Sequence, residues 1–231
     1  MPHRTRQLAL DLEPRPTWGG RRSGAGRPRG PRPRVWHRSR AAFAGRFPCH
    51  VTLRVRSDVP SLRTVRLVRE LEHSFREITE GGSFRVVQYS LQSDHAHFVV
   101  EANGRRALAR GMKSLGARLA RAVNRVFGRS GGVLDGRYHH RVLRTPREVR
   151  NALAYVLLNA RRHLAKRGVK WPAAGPPDPA SSGRWFDGWT RNIRRSGGEE
   201  GEPVASPHTW LLRVGWRRHG RIAPGEVPGA G

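Results

Sequence analysis

One cysteine, three lysines and three tyrosines stand in a chain of 231 residues. A lone Cys49 excludes an intramolecular disulfide framework and any zinc site built on several thiolates. No apolar run approaches the roughly 20 residues of a membrane span. No signal-peptide pattern opens the chain, so a cytoplasmic protein without a membrane partner is expected. Acids are also scarce: 17 Asp and Glu face 45 Lys and Arg, a net charge of +28. A GC-rich coding bias exchanges lysine for arginine but does not remove acids. The excess therefore points to a polyanionic partner, nucleic acid first. A membrane surface comes second, because no basic amphipathic helix stands out. No internal repeat is present.

Residues 1–46 are rich in Arg, Pro and Gly and hold no sustained apolar period. Such a segment buries too little surface to offset its ordering entropy and reads as a disordered basic arm. Within it, Gly26-Arg27-Pro28-Arg29-Gly30 resembles the core of minor-groove hooks, although a generic Arg/Pro linker is the simpler reading. From Cys49 to Arg56 the residues alternate. Val51, Leu53 and Val55 take one face; His50, Thr52, Arg54 and Arg56 take the other. Leu62, Val65, Val68, Leu71, Phe75 and Ile78 recur at helical spacing after Ser61. Phe84–Leu91 predicts a second strand, Ser93-Asp94 a tight turn, and His95–Glu101 a third strand. Leu108 to Val126 carries a second helical stripe with Arg110, Arg118, Arg121 and Arg125 on its other face. Tyr138–Leu143 predicts a fourth strand. Strand-helix-strand-strand-helix-strand is the α+β, ferredoxin-like split βαβ order, an antiparallel sheet with two helices on one face.

A further helix opens on Thr145-Pro146-Arg147-Glu148: a Thr cap, proline at the first helical position, and Glu where a capping box needs it. Val149, Leu153, Val156, Leu157, Ala160 and Leu164 share one side of it. Tyr155 and Asn159, four residues apart, stack on another. These elements bound a catalytic domain over 47–168. Residues 169–231 form a Pro/Gly linker and a Trp-rich extension holding five of the seven tryptophans. A tail so poor in aliphatics reads as one anchored by its tryptophans, with base stacking as the alternative.

His95 and His97 are two residues apart on a strand, so both imidazoles point to one face with Val99 and Glu101. Side by side they are able to hold one divalent cation, with the Asn159 carbonyl as third ligand; an N/N/O set with open positions suits Mg²⁺ or Mn²⁺. Two unrelated polar residues on a wet face are the plainer alternative. Tyr155 is then placed to attack a phosphodiester and form a phosphotyrosine, conserving bond energy for strand joining. A phenol ordinarily titrates near 10, so its activation falls to the cation, a water or an arginine such as Arg141, Arg144 or Arg162. Arg54, Arg56, Arg118, Arg121, Arg125, Arg137, Arg141 and Arg162 are the candidate DNA contacts.

Ser93-Asp94-His95-Ala96-His97-Phe98-Val99-Val100 resembles the signature of the HUH endonucleases. The resemblance extends through Lys113-Ser114-Leu115, Val123-Asn124-Arg125-Val126-Phe127, Gly132-Val133-Leu134-Asp135-Gly136-Arg137-Tyr138 and Ala154-Tyr155-Val156-Leu157-Leu158-Asn159-Ala160-Arg161-Arg162. Over residues 47 to 166 the chain is similar to single-tyrosine HUH transposases, in particular the REP-associated tyrosine transposases. The resemblance implies metal ligation by His95, His97 and Asn159, a Tyr155 nucleophile, and action on single-stranded or hairpin-forming DNA as a monomer or homodimer. Many relatives have Asn-Pro-Val-Arg where this chain has Asn159-Ala160-Arg161-Arg162. Three other readings share these residues: a non-catalytic DNA binder on the same fold, a replication or relaxase-type nickase, and a hydrolase in which Tyr155 is a bystander. Tyr138, in Arg137-Tyr138-His139-His140, is the rival nucleophile.

Overall fold

The computed structural model describes residues 41–79, 82–169, 175–191 and 201–229, together with 172 and 193. Most of the expected arm, including the Arg27-Pro28 segment, lies outside the described residues. Its last part does not behave as an arm: Phe43 packs against the core and Phe47 N–H donates to the Ala44 carbonyl at 3.0 Å. The folded unit therefore begins before the boundary expected at residue 47.

The expected element order is present: β1 (Cys49–Arg54), α1 (Val65–Thr79), β2 (Phe84–Leu91), β3 (His95–Ala102), α2 (Arg105–Val126) and β4 (His139–Val142). The strands pair antiparallel in the order β2-β3-β1-β4, the ferredoxin-like arrangement. Alternation sorts the side chains. Val51, Leu53, Ala96, Phe98 and Val100 pack with Leu71, Phe75, Leu108, Leu115 and Leu119 of α1 and α2. The α2 backbone comes so close to β2 that a Cβ on Gly111 would stand 2.1 Å from the Phe84 ring. Alanine would gain only about 1 kcal/mol of helix propensity, far too little against that overlap.

The opposite sheet face is covered as well. Val87 and Val99 join Leu143, after β4, and Val149, Leu153, Val156 and Leu157 of α3 (Pro146–Leu157) in a second core. A register shift between Val86 and Gln88 permits this: the bulge leaves Val86 facing α1 and α2 while Gln88 and Ser90 pair with Val99 and His97 on the α3 side. The capping box of α3 forms as the sequence predicts, with Thr145 accepting from Glu148 N–H and Glu148 reaching back to Thr145. The helix does not run through to Leu164, however. It is interrupted at Leu158 (φ −110°, ψ 17°) and resumes as α4 (Asn159–Lys166). Leu158 N–H still donates to Ala154 and its carbonyl still accepts from Arg162, so the distortion costs no hydrogen bond at that residue.

The Trp-rich tail belongs to the same packed unit as the sheet. Trp185, Trp189 and Trp216 are buried, the last two beside α3, whereas Trp210 is half exposed. The tail also covers the free edge of β2: Leu91 N–H donates to Ala180, Tyr89 N–H to the Ser182 hydroxyl, and Ala205 N–H to Val86. Carboxylates fasten it. Glu101, 1% exposed, accepts from His208 N–H and Thr209 N–H at 2.7–3.0 Å, just ahead of α5 (Trp210–Arg213), and from Arg85 at 3.2 Å. Asp178 clamps Arg63 through both oxygens, and Glu72 accepts from Arg184 and Tyr89. Glu101→Gln removes the buried charge those donors surround and is expected to cost roughly 2–4 kcal/mol. Urea unfolding measures it, with faster hydrogen exchange expected over 208–216. Unchanged stability would mean that Glu101 does not hold the tail.

Candidate functional site

The α3-facing side of the sheet collects the titratable groups. The β1–β3 register sets Thr52 beside His97 and Arg54 beside His95, and the β1–β4 register sets Arg141 beside His50. The rings of His95 and His97 lie 4.7 Å apart between centroids, and His97 lies 5.2 Å from His50. The packing of α3 brings the Tyr155 ring to 5.1 Å from His97 and 5.6 Å from His50. Arg162, one turn into α4, stacks its guanidinium 5.0 Å from the centre of the Tyr155 ring. His163 reaches His95 at 6.0 Å.

The hydrogen bonds decide which imidazole nitrogens are engaged. His97 Nδ1 lies 3.1 Å from Thr52 Oγ1 and 3.2 Å from His50 Nε2. His95 Nδ1 lies 2.7 Å from Asp94 Oδ1. Each pairing leaves Nε2 as the second nitrogen, the pattern by which outer partners orient metal-binding histidines. His97 Nε2 is buried without a partner. So are both side-chain atoms of Asn159, which is fully buried. Buried polar atoms are almost always satisfied. Two imidazole nitrogens and an amide oxygen are a donor set that a divalent cation satisfies, so these residues fit one. No group of three His, Cys, Asp or Glu is placed to hold a metal among the described residues.

Burial holds His97 and His50 neutral. It pushes His97 down to about 2, with the charges of His50, His95, His163 and Arg162 adding to the effect. It pushes His50 down to about 4, with Arg141 contributing. His163 is lowered by burial and then by His95.

Of the candidates from sequence, His95, His97, Tyr155, Arg54, Arg141 and Arg162 share this side. Tyr138 does not: it packs against the core formed with α1 and α2. Arg118 and Arg125 are also elsewhere, on α2, and pair with Glu77 and Glu70 of α1. Arg56 bonds Asp58 beyond the end of β1, while Arg121 on α2 and Arg137 ahead of β4 are exposed. Sequence reasoning missed His50, Thr52 and His163. For the first two, the alternating pattern placed them on the outer face of β1 but was silent on the strand they would meet. For His163 the signal was its spacing of four from Asn159.

Comparison with known proteins gives a match over part of the chain. Residues 46–139 match the model of the IS200-like transposases. That stretch is similar to an IS200-like transposase. The match runs from just before β1 to the first residue of β4, so it takes in His50, His95 and His97 and stops short of Tyr155. The chain shares its fold with a REP-associated tyrosine transposase solved bound to a REP hairpin, at 16% identity and TM-score 0.52, covering 74% of this chain and 100% of that one. A Deinococcus radiodurans R1 protein aligns at TM-score 0.36 and 16% identity, over 42% of this chain and 78% of that one. No curated protein matches the chain. No helix among the described residues is long and apolar enough to cross a membrane.

The buried, neutral His50 and His97 set a pH dependence. A histidine whose folded value is depressed binds more protons unfolded, so stability rises with pH between the folded value and the ordinary one near 6.5. For His50 that window opens at about 4. The urea midpoint of the metal-free protein is expected to fall steadily from pH 7 to pH 4.5, with a shallower fall in His50→Gln. Equal slopes in the two proteins would contradict the buried, neutral assignment.

Proposed function

We propose that the transposase domain cleaves and rejoins single-stranded DNA at hairpin-forming sites through Tyr155. The observation carrying this reading is the convergence of a tyrosine ring with His97, whose Nε2 is buried and partnerless, on one sheet face. His95, His97 and Asn159 would hold Mg²⁺ or Mn²⁺, which when bound supplies Lewis-acid polarisation of a phosphodiester oxygen. Tyr155 Oη attacks phosphorus. The bond from phosphorus to the 3′-oxygen breaks, and the strand end stays on the enzyme as a 5′-phosphotyrosine. The phenolic proton is matched by the proton the departing 3′-hydroxyl takes up. Attack by a second 3′-hydroxyl on the same phosphorus reverses the step, so strands join with no external energy.

The other residues of this face position the substrate and the site. Arg162 over the Tyr155 ring supplies positive charge where phosphates would lie, whereas Arg54 and Arg141 on neighbouring strands already pair with Asp94 and Glu148. His50 and Thr52 hold the His97 ring so that Nε2 faces away from the sheet hydrogen bonds. The structural relative's REP hairpin and the net charge of +28 both favour DNA as the substrate.

Incubating end-labelled hairpin DNA with Mn²⁺ and protein, then running denaturing gels, tests the chemistry. Wild type is expected to carry label, and Tyr155→Phe to lose at least roughly a thousandfold of it while still binding DNA. Tyr138→Phe is expected to behave as wild type, and His95→Ala or His97→Ala to form no adduct. An adduct that survives Tyr155→Phe but not Tyr138→Phe would overturn the nucleophile. The absence of any wild-type adduct would leave a DNA-binding protein on the transposase fold.

A further inference from the structure

The tail reaches the foot of the strand pair that carries the histidines. Leu91 ends β2 and pairs with Ala96, the residue between His95 and His97. At this place in an antiparallel ladder both backbone groups of Leu91 point away from β3, toward the tail. Both are taken. The N–H donates to the Ala180 carbonyl at 2.8 Å, and the carbonyl accepts from Arg63 Nη1 at 2.9 Å. Arg63 is held in turn by Asp178, whose two carboxylate oxygens accept from Nη1 and Nη2 at 2.9 and 2.7 Å, a fork that fixes the guanidinium plane. Asp178 Oδ1 also accepts from Ala180 N–H at 3.1 Å, so one buried carboxylate orders both partners of Leu91. The turn that follows closes from Gln92 N–H to the His95 carbonyl at 2.8 Å, and the Ser93 carbonyl accepts from Leu62, the neighbour of Arg63. Arg63 and His95 border one cavity of about 350 Å³.

We propose that Asp178 is a positioning residue for His95, acting through Arg63 on the Leu91 carbonyl. The two histidines differ in what holds them. His97 sits within β3, and its ring is fixed from β1 by Thr52 and His50. His95 is the first residue of β3, and its ring bonds Asp94 of the same turn at 2.7 Å. A ring whose partner travels with it takes its place from the turn, and the turn takes its place from Leu91. Loss of the Asp178 charge frees the Arg63 side chain, leaves the Leu91 carbonyl without a fixed donor, and loosens the first residue of β3 before the second histidine. The use made of His95 rests on the function proposed above; its placement by Asp178 does not.

Histidine-selective ¹H–¹³C spectra of the metal-free full chain test it, at about pH 8 where an ordinary imidazole is neutral. His95→Ala and His97→Ala assign the two peaks. Asp178→Asn keeps the shape and the Oδ1 acceptor for Ala180 N–H but removes the charge. It is expected to shift or broaden the His95 peak while His97 and His208 stay in place. Glu101→Gln, which loosens the tail where His208 N–H is bound, is expected to move His208 and leave His95 unchanged. Arg63→Gln combined with Asp178→Asn is expected to go no further than Arg63→Gln alone, as for two residues on one path. Mn²⁺ binding by calorimetry is expected to weaken about tenfold in Asp178→Asn, the low end for partners beyond the ligands themselves, and to hold in Glu101→Gln. Should Asp178→Asn fail to fold, Arg63→Lys, which keeps the charge and loses the fork, is expected to give the same change at His95. A His95 peak unmoved by Asp178→Asn, or moved equally by Glu101→Gln, would overturn the proposal and leave Asp178 as a fastening of the tail alone. Wild type binding Mn²⁺ no better than His95→Ala would refute the metal site, and the His95 peak would still decide the role of Asp178.

Discussion

A buried imidazole with one nitrogen left over is the constraint on which this face depends. His97 is placed by the central strand, its Nδ1 is taken by Thr52 and His50, and α3 closes over it. An unmade hydrogen bond on a buried polar atom costs about 1–3 kcal/mol. Asn159 adds two more such atoms from the start of α4. A fold that needed only stability would fill these positions with apolar side chains, as it does at Val99 two residues along. Buried acceptors left unsatisfied, as His97 Nε2 is on this face, are what the proposed ion site would use.

The scarcity of acids has a structural counterpart. In a chain with 17 carboxylates against 45 basic side chains, three of those that are buried, Glu72, Glu101 and Asp178, each join the sheet-and-helix frame to the tail. Glu226 pairs with Arg150 of α3 in the same way. The tail needs them because its aliphatic content is low: three buried tryptophans and a set of ion pairs replace the leucines of an ordinary core. By covering the β2 edge the tail also protects a strand that would otherwise be open to pairing. Arg66 and Arg69 of α1 remain without an acid among the described residues, whereas Arg54 and Arg141 of the strand face pair with Asp94 and Glu148.

Local signals were legible in the sequence, and those that depend on partners far along the chain were not. Alternation located the strands, and spacing located α1 and α2. Thr145-Pro146-Arg147-Glu148 fixed the start of α3 because a capping box is completed within four residues. His95 and His97 share a face by strand geometry alone. His50 enters the site only through the β1–β3 register, a non-local choice that no short window contains. The bulge at Val87 and the interruption at Leu158 arise from packing in the second core rather than from a Gly or Pro signal. Arg118 and Arg125 had the look of a free basic face, and the acids that neutralise them come from α1, more than forty residues away in sequence. Glu101 alternates onto the same face as the histidines, but the tail that buries it lies about a hundred residues on.

The proposed site would hold one divalent cation on His95 Nε2, His97 Nε2 and Asn159 Oδ1. Crystals of the full chain soaked in Mn²⁺, with anomalous data collected at the manganese edge, test it most directly. A single strong peak is the predicted result, within about 2.0–2.4 Å of those three atoms, the range of metal–nitrogen and metal–oxygen bonds. A peak held by other residues, or no peak at this face at saturating Mn²⁺, would contradict it.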